Sequence, residues 1–235
     1  MKNSDLSVFI LAGGFGKRLR SIIHETPKVL VRIKNKPLIL YILDQLVDEG
    51  FQEVFILTGY KSQQVEETLG CRYKNLNLNF SRESKPLGTG GAVKKASNKT
   101  NKDYLLIING DTLTNVSRKA FINKVDKNKE AIMSLFVKNI SRYGLLEFDE
   151  NNFLKKIYEK TGKNETGFIN AGTYLFLRKN IFNFHKEVFS LEKDYIPTIN
   201  KKKSIQIVPM QFQFLDVGIP EDFRQAENFI NEIKK

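Results

Sequence analysis

Hydrophobic and polar residues alternate along the first half of the chain in blocks that predict strands and helices in turn. Three continuous apolar runs have the length of buried strands, and they occupy residues 7–12, 54–58 and 104–109. Residues 37–49, with one mostly apolar face, predict a helix that Gly50 ends. Residues 62–69 predict a shorter helix, capped by Ser62 and closed by Gly70. This strand–helix–strand order predicts an α/β fold with a mainly parallel sheet.

The second half is richer in strand-like segments, which lie at residues 132–137, 144–148, 168–177 and 205–208. Fewer helical patterns separate them, so we expect a mixed sheet with added hairpins. The last segment is an amphipathic helix that opens at Pro220 and carries its apolar side chains in one stripe. That stripe predicts packing against the core. No repeat or flexible linker divides the chain, and we expect a single domain.

Composition excludes several classes of protein. The chain has 235 residues, of which 41% are hydrophobic and 27% charged, as in a globular domain. Its apolar runs are far shorter than the ~20 residues of a membrane span, and its polar start does not resemble a signal peptide. Cys71 is the only cysteine, which suits a reducing compartment, and we expect a cytoplasmic protein. With two histidines beside it, a structural zinc site is not expected.

The charge of the chain is strongly positive. Lysine and arginine number 38 against 26 acidic residues, which gives a formal net charge of +12. Such an excess favours an anionic partner such as nucleic acid, an acidic membrane or a small phosphorylated molecule, although a solvated lysine-rich surface has the same composition. Helix-turn-helix, zinc-finger and RNA-recognition signatures are absent, as is tryptophan. We therefore expect no nucleic-acid partner and no membrane partner.

A glycine-rich loop, Leu11-Ala-Gly-Gly-Phe-Gly-Lys-Arg-Leu19, follows the first predicted strand. It lies at the carboxyl edge of the predicted sheet, where α/β proteins bind ligands, and its glycines let backbone amides turn toward an anion. A P-loop needs a Ser or Thr after its lysine, but Arg18 follows Lys17. A dinucleotide fingerprint needs a third glycine where Leu19 stands. Neither of these two phosphate-binding motifs is present.

Nine short motifs follow one another along the chain. They are Leu11-Ala-Gly-Gly-x-Gly-x-Arg-Leu19, Thr26-Pro-Lys28, Lys36-Pro37, Glu83-x-x-Pro-Leu-Gly-Thr-Gly-Gly91, Asn109-Gly-Asp111, Arg142-Tyr-Gly144, Glu159-Lys160, Asn170-Ala-Gly172 and Asp216-x-Gly218. This ordered set resembles the signature of the sugar-1-phosphate nucleotidylyltransferases. Each motif alone is weak, but the set spans nearly the whole chain and is highly specific.

The resemblance implies a single-domain, three-layer, Rossmann-like nucleotidyltransferase fold with a central mixed, mainly parallel sheet. Residues 1–112 would form its nucleotide-binding half and residues 113–235 its sugar-binding half. Enzymes of this family join a nucleoside monophosphate to a sugar 1-phosphate and release pyrophosphate. The likeness is strongest to guanylyltransferases, which implies GTP and D-glycero-α-D-manno-heptose 1-phosphate as substrates. The product would be an activated sugar for surface-glycan biosynthesis.

The resemblance also assigns roles to individual residues. Arg18, Lys28 and Asp111 would be catalytic. Nucleotide contacts would come from Leu11, Ala12, Gly13, Gly14, Arg18, Lys28, Glu83, Gly88 and Asp111, with Gly88 allowing close approach to the nucleotide. Sugar-phosphate contacts would come from Tyr143, Gly144, Glu159, Lys160, Asn170 and Gly172.

Two aspartates would hold a metal ion. Asp111 follows a buried strand, where a carboxylate needs a paired charge or a metal, and Asp216 ends another apolar run. Magnesium favours one or two carboxylates together with substrate phosphates. By resemblance, Asp111 and Asp216 would hold Mg²⁺ against the α-phosphate and the sugar phosphate.

Several alternatives remain open at the level of sequence. The same reaction with UTP and an amino-sugar 1-phosphate, or with GTP and mannose 1-phosphate, would use the same motifs, because no isolated residue specifies the base. A non-catalytic nucleotide-sugar-binding regulatory protein would share the fold. Such a protein would be expected to lack Lys28, Asp111 or Asp216, all of which are present. The sequence predicts no oligomeric state.

Overall fold

The computed structural model describes residues 5–19, 25–158, 162, 164–202 and 204–233. Its strands are β1 Leu6–Leu11, β2 Arg32–Ile33, β3 Lys36–Pro37, β4 Glu53–Thr58, β5 Arg72–Tyr73, β6 Leu76–Arg82, β7 Tyr104–Asn109, β8 Thr112–Thr114, β9 Glu130–Val137, β10 Leu146–Phe148, β11 Leu154–Ile157, β12 Gly167–Leu177, β13 Ile205–Pro209 and β14 Phe214–Asp216. Its helices are α1 Leu38–Asp48, α2 Ser62–Leu69, α3 Gly88–Ser97, α4 Arg118–Asn123, α5 Arg178–Phe182, α6 Ile196–Ile199 and α7 Pro220–Ile233. A single π-helical turn, Leu191–Tyr195, precedes α6.

A mixed sheet runs through the middle of the described structure in the order β13-β9-β12-β7-β1-β4-β6-β5. Strand β12 is antiparallel to both of its neighbours, and β5 is antiparallel to β6. All other pairings in this sheet are parallel. The prediction of a mixed, mainly parallel sheet is therefore confirmed. Parallel strands carry their carboxyl ends to the same edge of a sheet, and this edge holds the site described below.

Alternating side chains divide the core between the two faces of the sheet. On β1, Val8 and Ile10 belong to one hydrophobic cluster and Phe9 to the other. Helices α1, α2 and α4 cover the first face, and α3, α5 and α6 cover the second. Because both faces of these central strands are buried, the strands appear in the sequence as continuous apolar runs. The three-layer architecture is thus confirmed.

Three further pairings among the described residues extend the fold beyond the central sheet. Strand β14 pairs antiparallel with β8, β10 pairs antiparallel with β11, and β2 pairs antiparallel with β3. Helix α7 packs Ala226 and Ile230 against Tyr41 of α1 and Leu215 of β14, as its apolar stripe predicted. Among the helices that the structure describes, none has both the length and the hydrophobicity needed to cross a membrane.

The start of α2 differs from the prediction. Ser62 is the first helical residue rather than the cap, because Lys61 precedes the helix in a left-handed conformation with φ 48°. No side chain caps this helix, so the prediction of a Ser62 cap is wrong. Gly70 ends the helix at φ 64°, as predicted. Several elements add to the predicted ones, among them β6, β11, α4, α5 and α6.

Candidate active site

Backbone hydrogen bonds join the loops that follow the parallel strands at the carboxyl edge of the sheet. The amide of Gly110 donates to the carbonyl of Leu11 (3.0 Å), and the amide of Glu83 donates to the carbonyl of Thr58 (2.8 Å). A Cβ atom on Gly110 would lie 2.5 Å from the Leu11 carbonyl oxygen, so a larger residue does not fit there. The glycine between Asn109 and Asp111 therefore allows the ends of β1 and β7 to meet.

The glycine-rich loop lines a cavity of about 560 Å³, which we call the glycine-loop cavity. Its walls include residues 11–15 and the side chains of Lys28, Glu83 and Thr89. A Cβ atom on Gly14 would meet no other atom within 4 Å. The loop thus leaves open space beside its backbone, where a ligand can approach closely.

Glu83 places a partly buried carboxylate in the glycine-loop cavity. Its Oε2 atom lies 3.1 Å from the position of a Cβ atom on Gly59. Burial raises the pKa of this carboxyl, while a hydrogen bond from the Leu87 amide and the charge of Lys95 lower the pKa in part. Since an ionised carboxylate only accepts hydrogen bonds, Glu83 suits a ligand that presents N–H donors.

A second cavity of about 530 Å³ lies beside the bulged part of β12, and we call it the β12 cavity. The described residues predicted to contact the sugar phosphate all line it, namely Tyr143, Gly144, Asn170 and Gly172. Arg18, predicted to contact the triphosphate, lines this cavity too. Burial raises the pKa of the Tyr143 hydroxyl.

The bulge in β12 exposes polar groups to the β12 cavity. Pairing with β9 shifts register between Asn170 and Tyr174, and Gly172 adopts φ 69°. A Cβ atom on Gly172 would lie 2.5 Å from Asn109 Nδ2, so the bulge packs directly on the end of β7. Within the bulge, the Gly172 amide donates to Asn170 Oδ1 at 3.0 Å. The Asn170 side chain is therefore fixed by its own strand.

The two cavities share part of their wall. Lys28, Asn109, Asp111 and Glu192 line both of them. Lys28 Nζ donates to Asp111 Oδ2 at 2.5 Å, with the two side chains 13% and 33% exposed. A cation and a carboxylate are therefore held where a ligand in either cavity can reach them.

Asp216 lies next to Asp111 because β14 pairs with β8. The register sets Asp216 opposite Thr112, and the Val217 amide donates to the Asp111 carbonyl at 3.0 Å. Both carboxylates line the β12 cavity. The described chain contains no group of three or more His, Cys, Asp or Glu residues arranged to hold a metal ion. Two carboxylates are the donors that Mg²⁺ takes when phosphates complete its coordination, so this donor set fits magnesium.

Arg142 forms an ion pair that the motif alone did not assign. Its Nη1 donates to Asp222 Oδ1 at 2.7 Å, and its Nη2 donates to Asp222 Oδ2. The same Oδ2 accepts the amides of Gly218 and Ile219, each at 3.3 Å. The hydrogen bonds to Asp222 raise the pKa of Arg142. This pair ties the loop that carries Tyr143 to the turn between β14 and α7.

The structure brings the described members of the predicted site to one edge of the sheet, while their chemical roles stay predictions. Glu159 and Lys160 lie outside the described residues; they follow Tyr158, which lines the β12 cavity. Sequence reasoning assigned no role to Asn109 or Glu192, which line both cavities. Asn109 belongs to a quoted motif, whereas Glu192 has no sequence signal of its own.

The arrangement suits the transfer of a group between two anionic ligands. Each cavity offers a separate binding space, and the Lys28–Asp111 contact lies between the two. Backbone amides and basic side chains neutralise anions, and fixed positions bring reacting atoms together.

Comparison with known proteins agrees with this geometry. Residues 7–233 match the nucleotidyl transferase family. The chain is 37% identical over 226 residues to the D-glycero-alpha-D-manno-heptose 1-phosphate guanylyltransferase of Aneurinibacillus thermoaerophilus, covering 94% of this chain and 97% of that one. The protein of the same name from Campylobacter jejuni is 33% identical over 220 residues, covering 93% and 97%. The crystal structure of HddC from Yersinia pseudotuberculosis complexed with GMP-PN matches with a TM-score of 0.86 at 33% identity, covering 95% and 99%. The chain therefore belongs to the nucleotidyl transferase family.

Proposed function

We propose that this protein transfers GMP from GTP to D-glycero-α-D-manno-heptose 1-phosphate and releases pyrophosphate. The observation that carries the proposal is the pair of cavities that meet at Lys28 and Asp111. The relatives from Aneurinibacillus and Campylobacter are named as guanylyltransferases for this heptose phosphate, which supports the choice of substrates. The single cysteine, Cys71, is an exposed free thiol, which suits a reducing compartment such as the cytoplasm.

GTP is assigned to the glycine-loop cavity. Guanine presents two neighbouring donors, N1–H and the 2-amino group, and the Glu83 carboxylate in this cavity accepts both. Uracil and thymine present one N–H between two carbonyl oxygens, and those oxygens would repel a carboxylate. Glu83 therefore favours guanine over uracil and thymine. The backbone beside Gly14 leaves room for the nucleotide to lie close to the loop.

The heptose phosphate is assigned to the β12 cavity. Tyr143 and Asn170 offer hydroxyl and amide groups, and the backbone at Gly144 and Gly172 adds donors and acceptors for sugar hydroxyls. Glu159 and Lys160 are proposed to contact the sugar and its phosphate. Placed this way, the sugar phosphate faces the nucleotide across Lys28.

The reaction forms one phosphorus–oxygen bond and breaks another. An oxygen of the sugar phosphate attacks the α-phosphorus of GTP, and pyrophosphate leaves with the electrons of the broken bond. The attacking phosphate is already an anion near neutral pH, so no general base is needed. The barrier is then set by the repulsion and positioning of two anions. Lys28 reduces that repulsion from the shared wall, and Arg18 does so from the β12 cavity.

A divalent cation is proposed to complete this charge balance. Asp111 and Asp216 would hold Mg²⁺, since both line the β12 cavity and their strands are paired. The bound ion would neutralise phosphate oxygens during transfer.

Other substrate pairs are variations of the same proposal. UTP with an amino-sugar 1-phosphate conflicts with the carboxylate at Glu83, whereas GTP with mannose 1-phosphate does not. A non-catalytic regulatory protein would have no need for the convergence of Lys28, Asp111 and Asp216 on one wall.

A panel of nucleoside triphosphates tests the reaction and the base together. We expect pyrophosphate release with Mg²⁺, GTP and D-glycero-α-D-manno-heptose 1-phosphate. Glu83→Gln should lower kcat/KM for GTP by about tenfold or more, because an amide donor then faces the N–H groups of guanine. The same variant should use UTP relatively better. Glu67→Gln on the exposed side of α2 is the control and should change neither value. If the protein forms no product with any of the four common triphosphates, the enzyme proposal is refuted.

A further inference from the structure

Glu192 lies at the junction of the two cavities and has no part in the chemistry above. It belongs to the π-helical turn Leu191–Tyr195 and lines both the glycine-loop cavity and the β12 cavity. Its side chain is partly buried, and each carboxylate oxygen accepts hydrogen bonds from a different side. This placement lets one residue contact both walls.

On the glycine-loop side, Glu192 is bound to Thr89. Thr89 Oγ1 donates to Glu192 Oε2 at 3.1 Å and accepts the Leu191 amide at 2.8 Å. Ser190 Oγ also donates to Oε2, at 2.8 Å. Thr89 lines only the glycine-loop cavity of the two. The turn that carries Glu192 is therefore fixed to the nucleotide side by a side chain within the glycine motif of residues 88–91.

On the β12 side, Glu192 is bound to a buried tyrosine. Tyr174 Oη donates to Glu192 Oε1 at 2.9 Å and accepts Asn170 Nδ2 at 2.9 Å. Asn170 in turn accepts the Gly172 amide at 3.0 Å. Burial, together with the charge of Glu192, raises the pKa of Tyr174 well above its ordinary value. Tyr174 thus remains protonated and continues to donate at physiological pH.

The segment just before the turn packs closely against the start of α3. A Cβ atom on Gly90 would lie 2.1 Å from the ring of Phe189, and one on Gly91 would lie 2.4 Å from the carbonyl oxygen of Glu187. The amide of Gly90 also donates to the Phe189 carbonyl at 2.9 Å. Because the backbones touch, a shift of the α3 N-terminus is passed to Glu192.

We propose that Glu192 is a positioning residue that links the wall of the glycine-loop cavity to the wall of the β12 cavity through Thr89 and Tyr174. Binding in one cavity then orders the other, so each substrate favours the binding of its partner. The identity of the two substrates rests on the proposed function, whereas the link between the walls does not.

Hydrogen exchange of the free protein, followed by NMR, tests the link without any substrate. Two backbone amides report on the link between the walls. The Gly172 amide donates to the side chain of Asn170, and the Leu191 amide donates to the side chain of Thr89. Thr89→Val should accelerate exchange of the Gly172 amide about fivefold or more, and Tyr174→Phe should do the same for Leu191. Glu192→Gln should accelerate both, because its amide cannot accept from both sides.

Steady-state kinetics with GTP and the heptose phosphate provides the crossed readout. Thr89→Val should raise KM for the sugar phosphate, and Tyr174→Phe should raise KM for GTP, each about fivefold or more. Thr89→Ser retains the hydroxyl and should restore wild-type values. Glu150→Gln alters an exposed carboxylate between β10 and β11 and should leave both KM values unchanged.

The outcomes separate the link from the reaction. If Thr89→Val and Tyr174→Phe each affect only their own cavity, in exchange or in KM, the link is refuted and guanylyl transfer stands. If the wild-type protein releases no pyrophosphate while exchange crosses between the walls, the proposed function fails and the link stands. A rise in KM for the sugar phosphate alone in Glu192→Gln would make Glu192 a direct sugar ligand and would overturn the positioning role.

Discussion

Asp111 supplies a negative charge to the lining that the two cavities share. Its carboxylate binds Lys28 at 2.5 Å and, in the proposed function, shares Mg²⁺ with Asp216. Asparagine keeps the shape of the side chain and removes that charge. We expect Asp111→Asn to lower kcat about 100-fold or more, measured by pyrophosphate release, with the thermal unfolding midpoint close to wild type.

Asp103→Asn is the matched control for that measurement. Asp103 is exposed and directly precedes β7, whereas Asp111 lies just beyond the opposite end of the same strand. The control should keep wild-type kcat. Turnover at the wild-type rate in Asp111→Asn would contradict both its catalytic and its metal-binding role.

Single glycines show how far residue-level prediction reaches. The resemblance implies that Gly88 allows close approach of the nucleotide. In the structure, Gly88 adopts φ 76°, and a Cβ atom on it would lie 2.5 Å from the carbonyl oxygen of Phe189. Gly14, by contrast, faces open space in the glycine-loop cavity. A glycine marks a close approach, but the neighbour comes from a distant part of the chain and only the fold identifies it.

At the level of elements, the start of α7 is held by the Arg142–Asp222 pair. Asp222 is 4% exposed and also accepts two backbone amides in the turn before the helix. Removing its charge leaves Arg142 without its partner near a buried site. We expect Asp222→Asn to lower the free energy of unfolding by about 2 kcal/mol in urea titrations, since Arg142 is itself 40% exposed.

The same helix offers a control ion pair. Glu221 and Arg224 are 3.4 Å apart and both largely exposed, so Glu221→Gln should change the free energy of unfolding by less than about 1 kcal/mol. Asp222→Asn should additionally raise KM for the sugar phosphate several-fold, because Arg142 fixes the loop that carries Tyr143. Equal stability of Asp222→Asn and Glu221→Gln would show that the Arg142–Asp222 ion pair does not stabilise the start of α7.

Elements were predicted well where burial alone determines them. Strands β1, β4 and β7 are buried on both faces, and their apolar runs located them within one residue. Strand β6 is half polar, with asparagines alternating along Leu76–Arg82, so hydrophobicity alone did not reveal it as a strand of the central sheet. The π-helical turn Leu191–Tyr195 has no periodic signal in the sequence. It is held by tertiary hydrogen bonds to α3: the Leu191 amide donates to Thr89, and the Gly90 amide donates to the carbonyl of Phe189 just before the turn. Local pattern predicts local structure, and long-range contacts decide the rest.

The whole molecule builds one site from both halves of the sequence. Strand β12 from the second half lies between β7 and β9 in the central sheet, and β14 pairs with β8. The proposed nucleotide and sugar halves therefore share one sheet and meet at its edge. The motifs indicated which segments contribute to the site. How these segments come together depends on pairings between strands that are far apart in the sequence.

The described lining of the two cavities carries no excess of positive charge. Among the described residues that line the two cavities, four are basic and four acidic: Arg18, Lys28, Lys85 and Lys193 against Glu83, Asp111, Glu192 and Asp216. The net charge of +12 thus belongs mainly to the rest of the chain. A balanced site that receives two polyanions gains from an added cation, which agrees with the proposed Mg²⁺. The surface excess contributes at longer range by attracting the triphosphate.

Global stability should depend on pH through one buried carboxyl, Glu130. It opens β9, is 2% exposed, and its Oε1 accepts from the Tyr195 hydroxyl (2.7 Å), the Leu177 amide (3.0 Å) and Asn180 Nδ2 (3.2 Å). It therefore joins β9 to the end of β12, to α5 and to the π-helical turn. Burial raises its pKa to about 6, although these three donors lower it in part.

The direction of the pH effect follows from the two pKa values. The folded protein, with a Glu130 pKa of about 6, binds the proton more tightly than the unfolded chain at its ordinary 4.5. The stabilisation is complete below pH 4.5 and is lost as pH rises through 6. Glu130→Gln keeps an acceptor at Oε1 without the charge, so the stability of wild type relative to this variant should fall by about 2 kcal/mol between about pH 3 and about pH 7.5, most of it between pH 4.5 and 6. Urea titrations across this range measure it, with exposed Glu150→Gln as control. Parallel curves for wild type and Glu130→Gln would show that the carboxyl does not titrate with folding.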